Sequence, residues 1–196
     1  SNLLGNEAGR AIYDGGAMIA SGGKLLANSP RFSFQPFQLT HATVDVELTR
    51  MGQARSAGRH SAVEADSSDS VAVEFEFPET PPEVPSLELP GWETSDCLKE
   101  EEFFRGVAIG LFDYLRKSRS NGFVESLSGG ADSSAVACLT ALMIHLVVTE
   151  LGLEGIRSRL THVSELSRCN TAEKVVTALL SCVYQSTRNS SDTTRQ

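Results

Sequence analysis

The chain has 196 residues, enough for one domain or two small ones at roughly 100–200 residues each. Hydrophobic residues make up 40% of it, which excludes a wholly disordered chain. With 25 acidic against 17 basic residues the net charge is −8, which excludes a general nucleic-acid binder working through a basic stripe. A phosphate site made of backbone N–H groups is not excluded, because it needs no excess of lysine.

The opening Ser1-Asn-Leu-Leu-Gly-Asn-Glu7 has neither the basic region nor the apolar run of a signal peptide. Its first residue is not Met, so the expectation is a chain that starts inside a longer one. Residues 1–50 read as β structure. Ala17-Met-Ile-Ala20 and Lys24-Leu-Leu-Ala27 flank Ser21-Gly22-Gly23, which predicts a hairpin. From Leu39 to Leu48 apolar Ala42, Val44, Val46 and Leu48 alternate with Thr43, Asp45 and Glu47, the pattern of a half-buried strand. Arg55 to Ser70 is small and polar. Glu79 to Pro90 is rich in Pro and Glu, and proline fixes φ and removes a donor, so an extended surface linker is expected there.

Phe103, Phe104, Val107, Ala108, Leu111, Phe112 and Leu115 recur at helical spacing within 97–118. Glu100, Glu101 and Glu102 at its start and Arg116 and Lys117 at its end suit the helix dipole. Gly122-Phe-Val-Glu-Ser-Leu127 reads as a short strand. Glu125 is a charge in a strand expected to be largely buried, and marks an edge, a variant or a sequence error. A helix from about Ser133 to Thr149 is apolar on nearly every face, which predicts burial. Its apolar run, Ala135 to Val148, is too short to span a bilayer. Residues 150–169 read as a polar connection. Asn170 with Glu173 resembles a capping box opening a helix through Val175, Val176, Leu179, Leu180 and Val183.

The cysteines Cys97, Cys138, Cys169 and Cys182 form no CxxC, and His41, His60, His145 and His162 complete no zinc pattern. Cys138 and Cys182, in apolar runs, are expected to be reduced, buried thiols of a cytoplasmic protein.

Ser128-Gly129-Gly130-Ala131-Asp132-Ser133-Ser134 lies between the predicted strand and the apolar helix. Two glycines let the backbone turn sharply and approach an anion closely. The helix start offers unpaired N–H groups and the positive end of a dipole. The serine hydroxyls add donors, and Asp132 can hold Mg²⁺, which favours hard oxygen ligands together with phosphate. The alternative is a Gly-Ser connection with Ser133 or Ser134 as helix cap. The loop lacks the Walker lysine, which argues against an ordinary P-loop NTPase.

Ser128 to Ser133 resembles the SGGxDS pyrophosphatase loop of enzymes that adenylate a substrate with ATP. Glu101-Glu-Phe-Phe-Arg105, Leu111-Phe-Asp-Tyr-Leu-Arg116 and Gly122 to Ser133 are similar to the synthetase domain of glutamine-dependent NAD synthetase. Tyr184-Gln-Ser-Thr-Arg-Asn-Ser-Ser191 looks like a second signature of that family. Leu4 to Ile19 is similar to the late part of its nitrilase-like glutaminase domain. The resemblance implies an α/β fold: the end of a nitrilase-like α/β sandwich (1–78), a linker (79–92) and the first part of an adenine-nucleotide-hydrolase-like parallel α/β domain (93–196).

It further implies ATP bound by Ser126, Leu127, Ser128, Gly129, Gly130, Ala131, Asp132, Ser133 and Ser134, with Ser128 catalytic and Asp132 on Mg²⁺. The implied partners are nicotinate adenine dinucleotide and glutamine or ammonia, in a homo-oligomeric parent with no nucleic-acid or membrane partner. The family's Glu-Lys-Cys glutaminase triad has no counterpart among these residues. Glu7 is not at a triad position and reads as a solvated or hydrogen-bonded turn carboxylate. The chain alone is therefore expected to make no NAD. Two other readings are a sister enzyme with the same loop and a non-catalytic short product that binds partners through exposed apolar surface.

Overall fold

The structure is a computed structural model and describes residues 3–7, 9–56, 73–76, 80–81, 87 and 89–185. The chain divides into two compact units, one of Ser1–Gly16, Pro30–Gln38 and Leu89–Gln196, the other of Ala17–Ser29 and Leu39–Glu88.

In the smaller unit β3 (Met18–Ser21) and β4 (Lys24–Asn28) form the expected antiparallel hairpin. Gly22 and Gly23 take φ of 58° and 78°, as a tight two-residue turn requires. The alternating stretch after it is no strand. Its first part is irregular, and α1 spans Val46–Ser56. Asp45 Oδ1 accepts from Leu48 N at 2.9 Å, so a side-chain cap starts a helix where alternation predicted a strand. Most of the Arg55–Ser70 stretch, and residues 79, 82–86 and 88 of the expected linker, lie outside the described residues.

In the larger unit β1 (Leu4–Glu7) and β2 (Ala11–Asp14) form a second hairpin, clamped to α2 (Leu98–Ser118). The Asn6 amide N–H donates to Asp113 Oδ2 at 2.9 Å, and Lys117 Nζ donates to Asn6 O at 2.5 Å. Glu7 is the hydrogen-bonded carboxylate expected: it accepts from the Tyr13 hydroxyl at 2.5 Å, which raises the Tyr13 pKa. A 3₁₀ turn at Gly91–Thr94 leads into α2. Its Trp92 ring faces the guanidinium groups of Arg31 at 5.0 Å and Arg105 at 4.7 Å.

The core lies where α2 meets α3 (Ala131–Arg159): Ala108, Ile109, Phe112 and Leu115 pack with Met143, Ile144 and Val147. Phe34 meets Phe112 edge to face at 5.5 Å. Each of the buried Leu, Ile, Val, Met and Phe side chains contributes roughly 2 kcal/mol, and Ala108 less.

α3 departs from expectation in three ways. It starts two residues earlier and runs through Gly152, where φ 69° breaks the helix, as far as Arg159, so much of the expected polar connection is helical. It is not buried on all sides: Val136 is 44% exposed and Leu142 47%. At 29 residues with a mean hydropathy of 2.0 in its most apolar window, it is long and apolar enough by length and composition to cross a membrane, a test that core helices also pass.

The capping residue of α4 (Ala172–Leu179) is Thr171, whose hydroxyl accepts from Lys174 N, and not Asn170. The helix ends at Leu179, and the apolar residues beyond it form β6 (Leu180–Val183). β6 pairs in parallel with β5 (Phe123–Ser126), Phe123 against Leu180 and Ser126 against Val183. A parallel pair between helices makes the fold α/β, as expected. Glu125 is half-buried in β5, which pairs with β6. Cys169 is buried, whereas Cys138 and Cys182 are exposed, against expectation: Cys138 lies on an open side of α3, and Cys182 in β6.

Candidate functional site: the loop after strand β5

Strand β5 ends at Ser126, and the Leu127 N–H donates to Val183 O at 2.9 Å, extending the parallel pairing by one bond. The chain then turns at Gly129, whose φ of 79° is a left-handed conformation that an L side chain resists. Gly130 (φ −90°, ψ 167°) caps α3 with no side-chain hydrogen bond to the first-turn N–H groups. The N–H groups of the first turn, at Ala131, Asp132 and Ser133, have no acceptor within the helix and sit at the positive end of its dipole. The alternative of Ser133 or Ser134 as cap is not what the hydroxyls do. Both donate to the Gly130 carbonyl, at 3.3 and 3.0 Å.

Ser126, Ser128, Gly129, Gly130, Ala131, Asp132 and Ser134 are exposed, Leu127 is half-buried and Ser133 is buried. A side chain on Gly130 would place its Cβ 3.3 Å from Ser128 Oγ, crowding the turn. The loop lies at the carboxyl end of a parallel strand, where open α/β sheets place their ligand crevice.

Asp132, in the first turn of α3, enters no ion pair among the described residues. Among them, no three His, Cys, Asp or Glu side chains converge on a metal position. One exposed carboxylate beside a glycine loop fits Mg²⁺, which is held by one or two carboxylates while phosphate and water fill the other positions.

The parallel register also carries the carboxyl end of β6 to this loop. Tyr184 follows Val183 directly, so the second signature begins beside the first. Gln185 is described, and residues 186–191 lie outside the described residues. The sequence reading placed Val183 at the end of a helix and missed its carbonyl as the anchor of Leu127. The available signal was Leu180-Ser-Cys-Val183, a short apolar run immediately before that signature.

A parallel strand, a glycine turn and an uncapped helix start define an α/β protein with an exposed glycine loop at the carboxyl end of its strand. The NAD synthase family profile matches residues 104–193, which contain all of these elements, and this segment belongs to that family. It is 32% identical over 203 residues to the glutamine-dependent NAD(+) synthetase of Oryza sativa subsp. indica, covering 100% of this chain and 27% of that protein. To the Homo sapiens glutamine-dependent NAD(+) synthetase it is 36% identical over 142 residues, covering 71% of this chain and 20% of that protein. The crystal structure of a glutamine-dependent NAD(+) synthetase from Cytophaga hutchinsonii superposes with a TM-score of 0.63 at 34% identity, covering 98% of this chain and 26% of that one. The chain thus spans 27% of the rice relative's length.

Proposed function

We propose that this chain contributes the ATP-phosphate loop of a ligase that converts nicotinate adenine dinucleotide to NAD. Ser126 to Ser134 hold the triphosphate, Asp132 carries Mg²⁺, and Ser128 touches the phosphates at the point of reaction. The substrate carboxylate attacks the α-phosphorus of ATP and pyrophosphate leaves. Ammonia from glutamine then attacks the adenylated carbonyl, and AMP leaves with formation of the amide. Converting a carboxylate oxygen into a phosphate leaving group is what makes the amide accessible. The loop's part is positioning and stabilising the negative charge that collects on the departing pyrophosphate.

The observation that carries this reading is the exposed Gly129–Gly130 turn between the carboxyl end of β5 and the uncapped start of α3. The family match over residues 104–193 supports it. We place the end of a nitrilase-like glutaminase domain at 1–78, a linker at 79–92 and the start of the synthetase domain at 93–196, in a cytoplasmic homo-oligomer.

Titration of the full chain with ATP and Mg²⁺ tests the reading. Ser128→Ala and Asp132→Ala are each expected to weaken binding about tenfold, the loss of one charge-assisted contact. Unchanged affinity in both variants would overturn it. Turnover by the chain alone, supplied with ATP, Mg²⁺, nicotinate adenine dinucleotide and ammonia, is expected to be absent. Weak ATP binding together with molten-globule spectra would favour the non-catalytic alternative.

A further inference from the structure

The serines of the loop differ in how much hydrogen-bonding capacity they have left. A hydroxyl has one proton to give and two lone pairs to accept with. Ser133 Oγ donates to Gly130 O at 3.3 Å and accepts from Ser128 N at 3.2 Å. Its third neighbour is Ser128 Oγ, at 3.3 Å. With the Ser133 proton directed at Gly130 O, the proton between the two hydroxyls belongs to Ser128. Ser133 is then saturated, and it is only 8% exposed. Ser128 Oγ is exposed and accepts from Gly130 N at 3.3 Å; its proton is free to turn from Ser133 to an incoming oxygen.

We infer that Ser133 is a positioning residue. Its hydroxyl ties both ends of the turn together, Ser128 on the strand side and Gly130 on the helix side, and so braces the loop, leaving the backbone N–H groups to face the phosphates. The inference rests on the reading of this loop as the ATP-phosphate site, and separates its serines into one that braces and one that binds. The bonds are individually long, so the brace acts by being threefold: losing the hydroxyl frees the Ser128 N–H and removes one donor to Gly130 O at once.

Amide hydrogen exchange of the ligand-free full chain reads the brace directly. In Ser133→Ala the Ser128 amide is expected to exchange at least tenfold faster, and in Ser133→Thr, which keeps the hydroxyl, to stay within about threefold of wild type. In Ser128→Ala the residue-128 amide is expected to keep its protection, because its acceptor remains. Unchanged exchange in Ser133→Ala overturns the brace whatever the loop binds.

Affinity for ATP and Mg²⁺ is measured on the same proteins. Weakening in both Ser128→Ala and Ser133→Ala, with recovery in Ser133→Thr, supports the inference. Weakening in Ser128→Ala alone refutes the brace while leaving the ATP-site reading standing. No weakening in Ser128→Ala, Asp132→Ala or Ser133→Ala sinks the ATP-site reading, and the exchange result on the brace then stands by itself.

Discussion

Asn6 and Asp113, 107 residues apart, are joined by a 2.9 Å hydrogen bond from the Asn6 backbone N–H to the Asp113 carboxylate. The same carboxylate meets Arg116 at 2.5 Å and Lys117 at 2.6 Å, and Asp113 is only 6% exposed. Gly5 fits against it because a Cβ there would lie 2.7 Å from Asp113 Oδ2. Asp113→Ala removes the acceptor from a partly buried N–H and leaves two cations without their partner. The expected cost is about 2 kcal/mol, by analogy with hydrogen bonds to charged groups. Urea denaturation measures it; a midpoint unchanged from wild type would show the clamp to be dispensable.

Burial pushes the Asp113 carboxyl upward, but hydrogen bonds from Lys117, the Asn6 backbone and Arg116, with the Arg116 charge, outweigh it and hold the pKa below its usual value. A carboxyl depressed on folding contributes stability above its unfolded pKa of about 3.9, and that contribution is lost as pH falls through the folded value. Thermal melts taken from pH 5 downward are expected to show a loss of stability that is shallower in Asp113→Asn. Parallel curves for the two proteins would assign the acid sensitivity to other groups.

The Thr171 hydroxyl accepts from Lys174 N at 3.3 Å and caps α4. The Glu173 carboxyl is lowered by its own backbone N–H and by the Thr171 hydroxyl, so both acidic and hydroxyl groups serve the same helix start. Thr171→Ala is expected to cost about 1 kcal/mol and Thr171→Ser close to nothing, since Ser caps equally well. Asn170→Ala, at the position the capping-box pattern singles out, is expected to be within about 0.5 kcal/mol of wild type. Chemical denaturation of the three variants orders them, and a larger loss in Asn170→Ala than in Thr171→Ala would reverse the assignment.

The elements legible in the sequence are those fixed by near neighbours. The β3–β4 hairpin follows from Gly22-Gly23, α2 from its apolar spacing, and the loop from two glycines between a strand and a helix. Where a tertiary partner decides, local pattern fails. Leu180 to Val183 continues the apolar spacing of α4, yet pairing with β5, more than fifty residues earlier, makes it a strand. Val44, Val46 and Leu48 alternate as a strand would, but the Asp45 cap settles the segment as a helix start. At the loop, the residue types were legible, whereas the saturation of Ser133 was not: it depends on three distances that only folding sets.

Gly122 is where the β5 entrance meets the end of α4. A Cβ there would lie 2.5 Å from the Leu179 carbonyl oxygen, a backbone atom that cannot swing aside. Gly122→Ala is expected to cost roughly 2 kcal/mol or more, the scale of overpacking in a tight interior. Gly91→Ala, whose Cβ would meet nothing within 4 Å, serves as the control and should stay within about 0.5 kcal/mol. Equal melting of the two variants would show that β5 and α4 can separate without penalty.

The thiols report which faces of the larger unit are open. Cys97, Cys138 and Cys182 are exposed, while Cys169 is 6% exposed, its sulfur 3.4 Å from the Lys174 carbonyl. A thiolate must reach the reagent to react, so access orders the rates when no strong activation distinguishes the groups. With a thiol-specific chromophoric reagent at mildly alkaline pH, Cys97, Cys138 and Cys182 are expected to react with the native chain, and Cys169 only in denaturant. Mapping the modified peptides separates two departures. Fast modification of Cys169 would mean that the packing of α4 against the 3₁₀ turn at Ser164–Arg168 opens readily. Protection of Cys182 that disappears on dilution would mean that a second copy covers β6, because only an association loses protection with concentration.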